Sequence, residues 1–114
     1  MDKQLFRLIA LKDATAYIDR LPDKAREKVF YNIRKVAAGI RDSELFKKLD
    51  DTDIWEFRTV YNGICYRLFA FWDNDAETLV IATHGIIKKS QKTPVKEIEK
   101  AEAIRREYFN DKRR

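Results

Sequence analysis

The apolar positions of this chain repeat with two different periods. Residues 4–11 form a short, mostly apolar run and predict a strand. Ala14, Tyr17, Ile18 and Leu21 then fall on one face of a short helix that Asp13 is placed to cap. Pro22 suits the first turn of a second helix, where a missing N–H costs nothing. Ala25, Val29, Ile33, Val36, Ala37 and Ile40 line one stripe of that helix, with Gly39 near its end. The two helices predict a hairpin that covers one face of a sheet. Residues 41–53 are polar and acid-rich and predict a loop.

From Ile54 the pattern changes to alternation. The aromatic and β-branched runs Ile54–Tyr61 and Ile64–Trp72 are separated by Asn62-Gly63, the strongest short hairpin signal. Trp72–Ala76 predicts the next turn, and Glu77–Ile87 the third strand of an antiparallel meander. Thr93 predicts the N-cap of the last helix and Pro94 its first position. The apolar stripe of this helix is thin (Ile98, Ala101, Ile104 and Tyr108), so it lies on the surface. The order β-α-α-β-β-β-α predicts an α+β fold: an antiparallel sheet, a helical hairpin on one face and a C-terminal helix. With 114 residues, the expectation is one domain over 1–114.

Composition narrows the function. A chain with 45% apolar and 12% aromatic residues can close a core, which excludes disorder. No apolar window of about 18 residues predicts a membrane span. Asp2, Lys3 and Arg7 make the start unlike a signal peptide. Cys65 is the single cysteine and His84 the single histidine, so a Cys/His zinc site is excluded. This cysteine usage fits a reducing cytoplasm. Residues 1–87 hold fourteen basic and fourteen acidic groups, whereas residues 88–114 hold ten and five. The net charge of +5 therefore sits in the last quarter, which points to a polyanion, RNA foremost. A solvated helix with a basic tail is the plainer alternative.

Strand alternation then picks out candidate chemistry. Glu56 and Arg58 share one face of their strand, and Trp55 and Phe57 the other. Arg67 shares a face with Cys65 and Phe69, and His84 and Lys88 share one with Val80 and Ala82. Charges within a sheet are rarely buried unless paired. With the hairpin on one face, Glu56, Arg58, Arg67, His84 and Lys88 are expected to gather on the other, as a basic concave surface holding one carboxylate and one imidazole. Each has a plainer reading. Glu56 with an arginine is a cross-strand ion pair, His84 a satisfied, partly buried histidine, and Lys88-Lys89 strand-end solubilising charge. Trp55, Phe57, Tyr66, Phe71 and Trp72 read as core, and Cys65 as a small core residue.

Taken together, Leu45-Phe-Lys-Lys-Leu49, Ile54-Trp-Glu-Phe-Arg58, Gly63-Ile-Cys-Tyr-Arg67 and His84-Gly-Ile-Ile-Lys-Lys-Ser-Gln-Lys-Thr-Pro94 resemble the phage-derived, HigB-like branch of the RelE/HigB toxin superfamily. The likeness runs from about Leu5 to Tyr108. Its most specific part is the His-Gly-x-x-Lys-Lys-x-x-Lys-Thr-Pro block, continued by Glu97, Ile98 and Ala101 in the last helix. The resemblance implies a RelE-like compact fold and the toxin of a type II toxin–antitoxin module. It implies a metal-independent endoribonuclease that cuts mRNA, usually on the ribosome, and a cognate antitoxin carrying a helix-turn-helix domain. Such cleavage uses the substrate's 2′-hydroxyl and needs a base, cations for the phosphorane charge and an acid for the leaving oxygen. By resemblance Arg67 is the first candidate for the phosphate and Arg58 the second, with Lys88 and Lys89 at the family's basic strand-end position. Lys92, Arg105 and Arg106, in the basic last quarter, are expected to bind RNA. His84 and Glu56 are the candidates for proton transfer, with Tyr66 and Tyr108 as alternatives. The rival expectation is a catalytically inactive RelE-like module that binds RNA or an antitoxin.

Overall fold

The computed structural model describes residues 4–75, 78–88 and 92–113. In chain order these form β1 (Arg7–Ala10), α1 (Lys12–Asp19), α2 (Asp23–Ala37), β2 (Phe46–Lys48), β3 (Trp55–Tyr61), β4 (Ile64–Trp72), β5 (Leu79–Lys88) and α3 (Val95–Lys112). The α+β class and the helical hairpin stand as the sequence predicts. Glu77, placed in the last strand by its pattern, lies outside the described residues.

The strands lie in the order β1-β5-β4-β3-β2. β3, β4 and β5 form the antiparallel meander, with Asn62 (φ 51°) and Gly63 (φ 74°) in the left-handed conformations that an Asn-Gly turn requires. The sheet as a whole is mixed, not wholly antiparallel, because β1 pairs with β5 in parallel. α1 and α2 carry the chain from that edge across one face to β2 at the other. β2 itself lies in the segment expected to be loop. Its three residues are too few to show a period, and its two lysines suit an exposed sheet edge. Phe46 anchors it, with its ring 4.3 Å from that of Phe57.

Two small cores follow from this layering. On one face α1 and α2 bury Ala14, Ile18, Val29 and Ile33 against Phe57, Tyr66, Leu68, Val80 and Ala82. α2 ends where Gly39 (φ +107°) lets its own N–H reach the Val36 carbonyl and that of Ile40 the Lys35 carbonyl. Asp13 does not cap α1, which opens after Leu11 with no side-chain cap. Asp13 lies in the first turn, where a carboxylate still meets the positive end of the helix dipole. Pro22 and Pro94 each stand one residue before the first helical position. On the second face α3 crosses Ile54, Phe69, Phe71 and Ile81, with Ala101 fully buried at the closest approach. The sheet is thus covered on both sides, and β4 is continuously buried from Tyr66 to Phe71 rather than alternating. Among the described residues no helix is long and apolar enough to cross a membrane.

Candidate functional site

A single inserted residue organises the second face of the sheet. Along β4 and β5, Cys65 pairs with Lys88, Arg67 with Ile86 and Phe69 with His84, but Ala70 pairs with Ala82. Thr83 is the extra residue of a β-bulge, which reverses the alternation beyond it. Val80 and Ala82 face α1 and α2, whereas His84 and Lys88 face α3 with Cys65, Arg67 and Phe69. This corrects the expected grouping of His84 with Val80 and Ala82, since a strict two-residue period cannot register one added residue. Glu56 pairs across the ladder with Phe69, and Arg58 with Arg67. Directly opposed residues share a face. Glu56, Arg58, Arg67, His84 and Lys88 therefore meet on one side of the sheet.

Their geometry is closed. The Glu56 carboxylate is 1% exposed and accepts from Arg67 Nη1 at 3.2 and 3.3 Å and from Thr93 Oγ1 at 2.7 Å. Arg58 Nε stands 3.3 Å from the same carboxylate. Arg67 Nη1 also donates to Thr93 Oγ1 at 2.7 Å, and its Nε to Cys65 Sγ at 3.4 Å. Burial works against the Arg67 charge, but the contacts with Cys65 and Glu56 outweigh it and hold the guanidinium above its ordinary pKa. The Thr93 hydroxyl thus bridges a buried cation and a buried anion instead of capping α3. An exposed helix end can be hydrated, whereas a buried charge has no such substitute.

His84 is 3% exposed, with its ring 4.9 Å from that of Phe69. Its Nε2 lies 3.2 Å from Glu97 Oε1 and its Nδ1 3.0 Å from Thr83 Oγ1. The tautomer with the proton on Nε2 serves both contacts, donating to Glu97 and accepting from Thr83. Burial, then the charge of Lys100, pull its pKa below the usual histidine value against the opposing pull of Glu97, so the imidazole is neutral at pH 7. The expected open basic surface is therefore not what forms. Glu56, Arg67 and His84 lie beneath α3, each held by partners. No group of three or more His, Cys, Asp or Glu that could hold a metal occurs among the described residues.

The family model for phage-derived, Gp49-like proteins matches residues 16–106. The chain belongs to the Gp49-like family. That family is associated with RelE/HigB-like toxin–antitoxin modules, and such a module includes an antitoxin partner. No curated protein matches the chain. The matched stretch of this Gp49-like protein takes in the whole Glu56–Arg67–His84 cluster and α3 as far as Arg106.

Other expected residues fall elsewhere. Arg105 is half-buried on α3, 3.6 Å from Asp53 and 5.1 Å from the centre of the Phe109 ring. Arg106 and Lys92 are exposed, and Lys89 lies outside the described residues. Arg105 lies ten positions past Val95, where α3 begins, roughly 15 Å along the helical rise, so it belongs to a different part of the surface. Tyr66 is buried on the α1–α2 face, and Tyr108 donates to Asp73 at 2.5 Å. Neither joins the cluster. Cys65 is half-buried beside Arg67 rather than in a core. Sequence reasoning passed over Thr83, Thr93 and Glu97 as partners. Thr93 lies just before α3 and Glu97 in its first turn, so the start of that helix places both over the strands.

Proposed function

We propose that this Gp49-like protein is the toxin of a type II toxin–antitoxin module and acts as a metal-independent endoribonuclease on mRNA at the ribosome. The observation that carries this reading is the placement of Glu56, Arg58, Arg67, His84 and Lys88, from three strands, on one face of the sheet, with a bulge turning His84 onto that face. Apolar residues of similar volume usually hold a fold as well as a buried ion pair does. A buried carboxylate, guanidinium and imidazole on one sheet face therefore suggest chemistry rather than stability.

The roles follow from protonation. His84 accepts the proton of the 2′-hydroxyl on Nδ1 as that oxygen attacks phosphorus, once Thr83 turns its hydroxyl to the Phe69 carbonyl, 3.4 Å away. Arg67 and Arg58 bind the developing phosphorane charge through planar N–H forks. The bond from phosphorus to the 5′-oxygen breaks, leaving a 2′,3′-cyclic phosphate, and the leaving oxygen takes a proton from water while Lys88 supplies positive charge beside it. Glu56, between two guanidiniums, holds both arginines in place. The segment before α3 lifts Thr93 away from Arg67 to admit the phosphate. Lys92, Arg105 and Arg106 contact RNA beyond the cleaved bond. A cytoplasmic setting and a helix-turn-helix antitoxin complete the proposal.

Arg67→Ala would leave Glu56 buried with fewer partners and confuse unfolding with inactivity, so Arg67→Lys and His84→Gln are the better tests. Each is expected to relieve growth arrest on induction while remaining folded by circular dichroism, with cleavage lost by about 10²-fold. Full toxicity from both folded variants would contradict the assigned site. A second reading, an inactive module that binds RNA or the antitoxin, is favoured by the same saturation of Glu56 and His84, since a structural network is satisfied in the same way. Unimpeded growth and intact transcripts after soluble expression of the wild type would select it.

A further inference from the structure

A cavity of about 510 Å³ opens beside His84, between α1, β5 and α3, and none of the roles assigned so far uses it. Its floor is the edge of β5 beyond Ala82, where the pairing with β1 stops. Tyr17 takes the place of the missing strand, donating from its hydroxyl to the Ile86 carbonyl at 2.9 Å. Its ring lies so close on the backbone that a Cβ at Gly85 would collide with it. Tyr17, Leu21 and Ile86 thus make a fixed apolar wall. At the rim stand Arg20, from the end of α1, and Lys100, from α3. Arg20 is exposed, with no ion pair among the described residues. Lys100 meets Asp13 at 3.7 Å, both side chains about half exposed, a long contact of the kind that contributes little.

A wall of that kind, two available cations and a volume in the range of small-molecule sites suit one nucleotide. We propose that this cleft binds a nucleotide of the RNA next to the bond to be cut, with Arg20 and Lys100 on its phosphate and the Tyr17–Ile86 wall against its base. This rests on the nuclease reading and extends it. His84 belongs both to the sealed cluster and to the cleft, so RNA seated in the cleft meets the imidazole before α3 moves. Asp13 is the group that the phosphate displaces from Lys100.

The test is an amide NMR titration of the full chain with uridine and adenosine 5′-monophosphates, inorganic phosphate and the uncharged nucleosides in separate arms. Both nucleotides are expected to shift residues 17–21 and 84–87. Phosphate is expected to bind more weakly, and the nucleosides more weakly still. Arg20→Ala with Lys100→Ala should weaken nucleotide binding by about tenfold or more, one charge-assisted contact being worth that much. Exposed Lys24→Ala, away from the cleft, should not. Shifts confined to the C-terminal half of α3, or equal binding by the double variant, would overturn the proposal. Cleavage assays on the same proteins separate the two readings. A wild type that cuts RNA, with a double variant of unchanged KM, overturns the cleft alone. A wild type that binds nucleotides in the cleft without cutting RNA overturns the nuclease reading and leaves the cleft as a nucleotide site only.

Discussion

Replacing Thr93 with valine keeps the shape of the side chain and removes one hydroxyl. That hydroxyl accepts from Arg67 and donates to Glu56, each at 2.7 Å, and both partners are almost completely buried. A hydrogen bond to a charged group contributes roughly 1.5–3 kcal/mol. The two losses do not add fully, because Glu56 keeps Arg67 and Arg58 and Arg67 keeps Glu56 and Cys65. We expect Thr93→Val to cost about 2–4 kcal/mol, a large part of the roughly 5–15 kcal/mol of a typical domain. With a urea dependence of about 1–3 kcal/mol per molar, the unfolding midpoint should fall by roughly 1–2 M. Trp55 and Trp72, both half-buried near one end of the sheet, report the transition by fluorescence. Thr93→Ser, which retains the hydroxyl, should recover most of the loss. Amides of the first turn of α3 should exchange faster in the valine variant than those near Tyr108. A midpoint for Thr93→Val within about 0.3 M of wild type would refute the bridge, as that corresponds to less than one ordinary hydrogen bond.

Gly85→Ala should displace the Tyr17 ring and break its bond to Ile86, costing roughly 2–4 kcal/mol from overpacking plus one lost hydrogen bond, and an unchanged thermal midpoint would contradict that packing. Asp73 is buried, which raises its pKa, but hydrogen bonds from Lys112, Tyr108 and the Asp75 backbone outweigh burial and bring it from 3.8 to about 2. Its folded pKa lies below the unfolded one, so its stabilisation is present above pH 4 and fades as pH falls towards 2. Tyr108→Phe should accordingly shift acid unfolding, followed by circular dichroism, to higher pH. His84 also has a depressed folded pKa, so its share of stability is complete above about 6.5 and declines below it. His84→Gln should flatten stability between pH 7 and 5, and an unaltered slope would contradict a neutral buried imidazole. If Arg106 contacts RNA phosphate, Arg106→Ala should reduce the salt slope of single-stranded RNA binding by about 0.7.

Local signals carried much of the architecture. The α2 stripe, the Asn62-Gly63 turn and the alternating runs around it are short-range patterns, and each marks the element it predicts. β2 escaped because three residues hold too little period, and the β1–β5 pairing because it joins chain positions about seventy apart. The candidate cluster was legible as a set of residue types: Glu56, Arg58 and Arg67 have the expected facing. His84 comes to their face only through the bulge at Thr83, which alternation does not encode. The closure of the cluster was illegible for a related reason. Thr93 has the local chemistry of a helix cap, and only the buried Arg67–Glu56 pair, supplied by two distant strands, draws its hydroxyl away.

The most direct measurement is to incubate the purified protein with a translating mRNA and to identify the chemistry of any new ends. A functioning strand-borne site predicts discrete cuts that leave 2′,3′-cyclic phosphate on the upstream fragment and vanish with folded His84→Gln. Intact message in the presence of demonstrably folded wild-type protein, or cuts that survive both Arg67→Lys and His84→Gln, would contradict it.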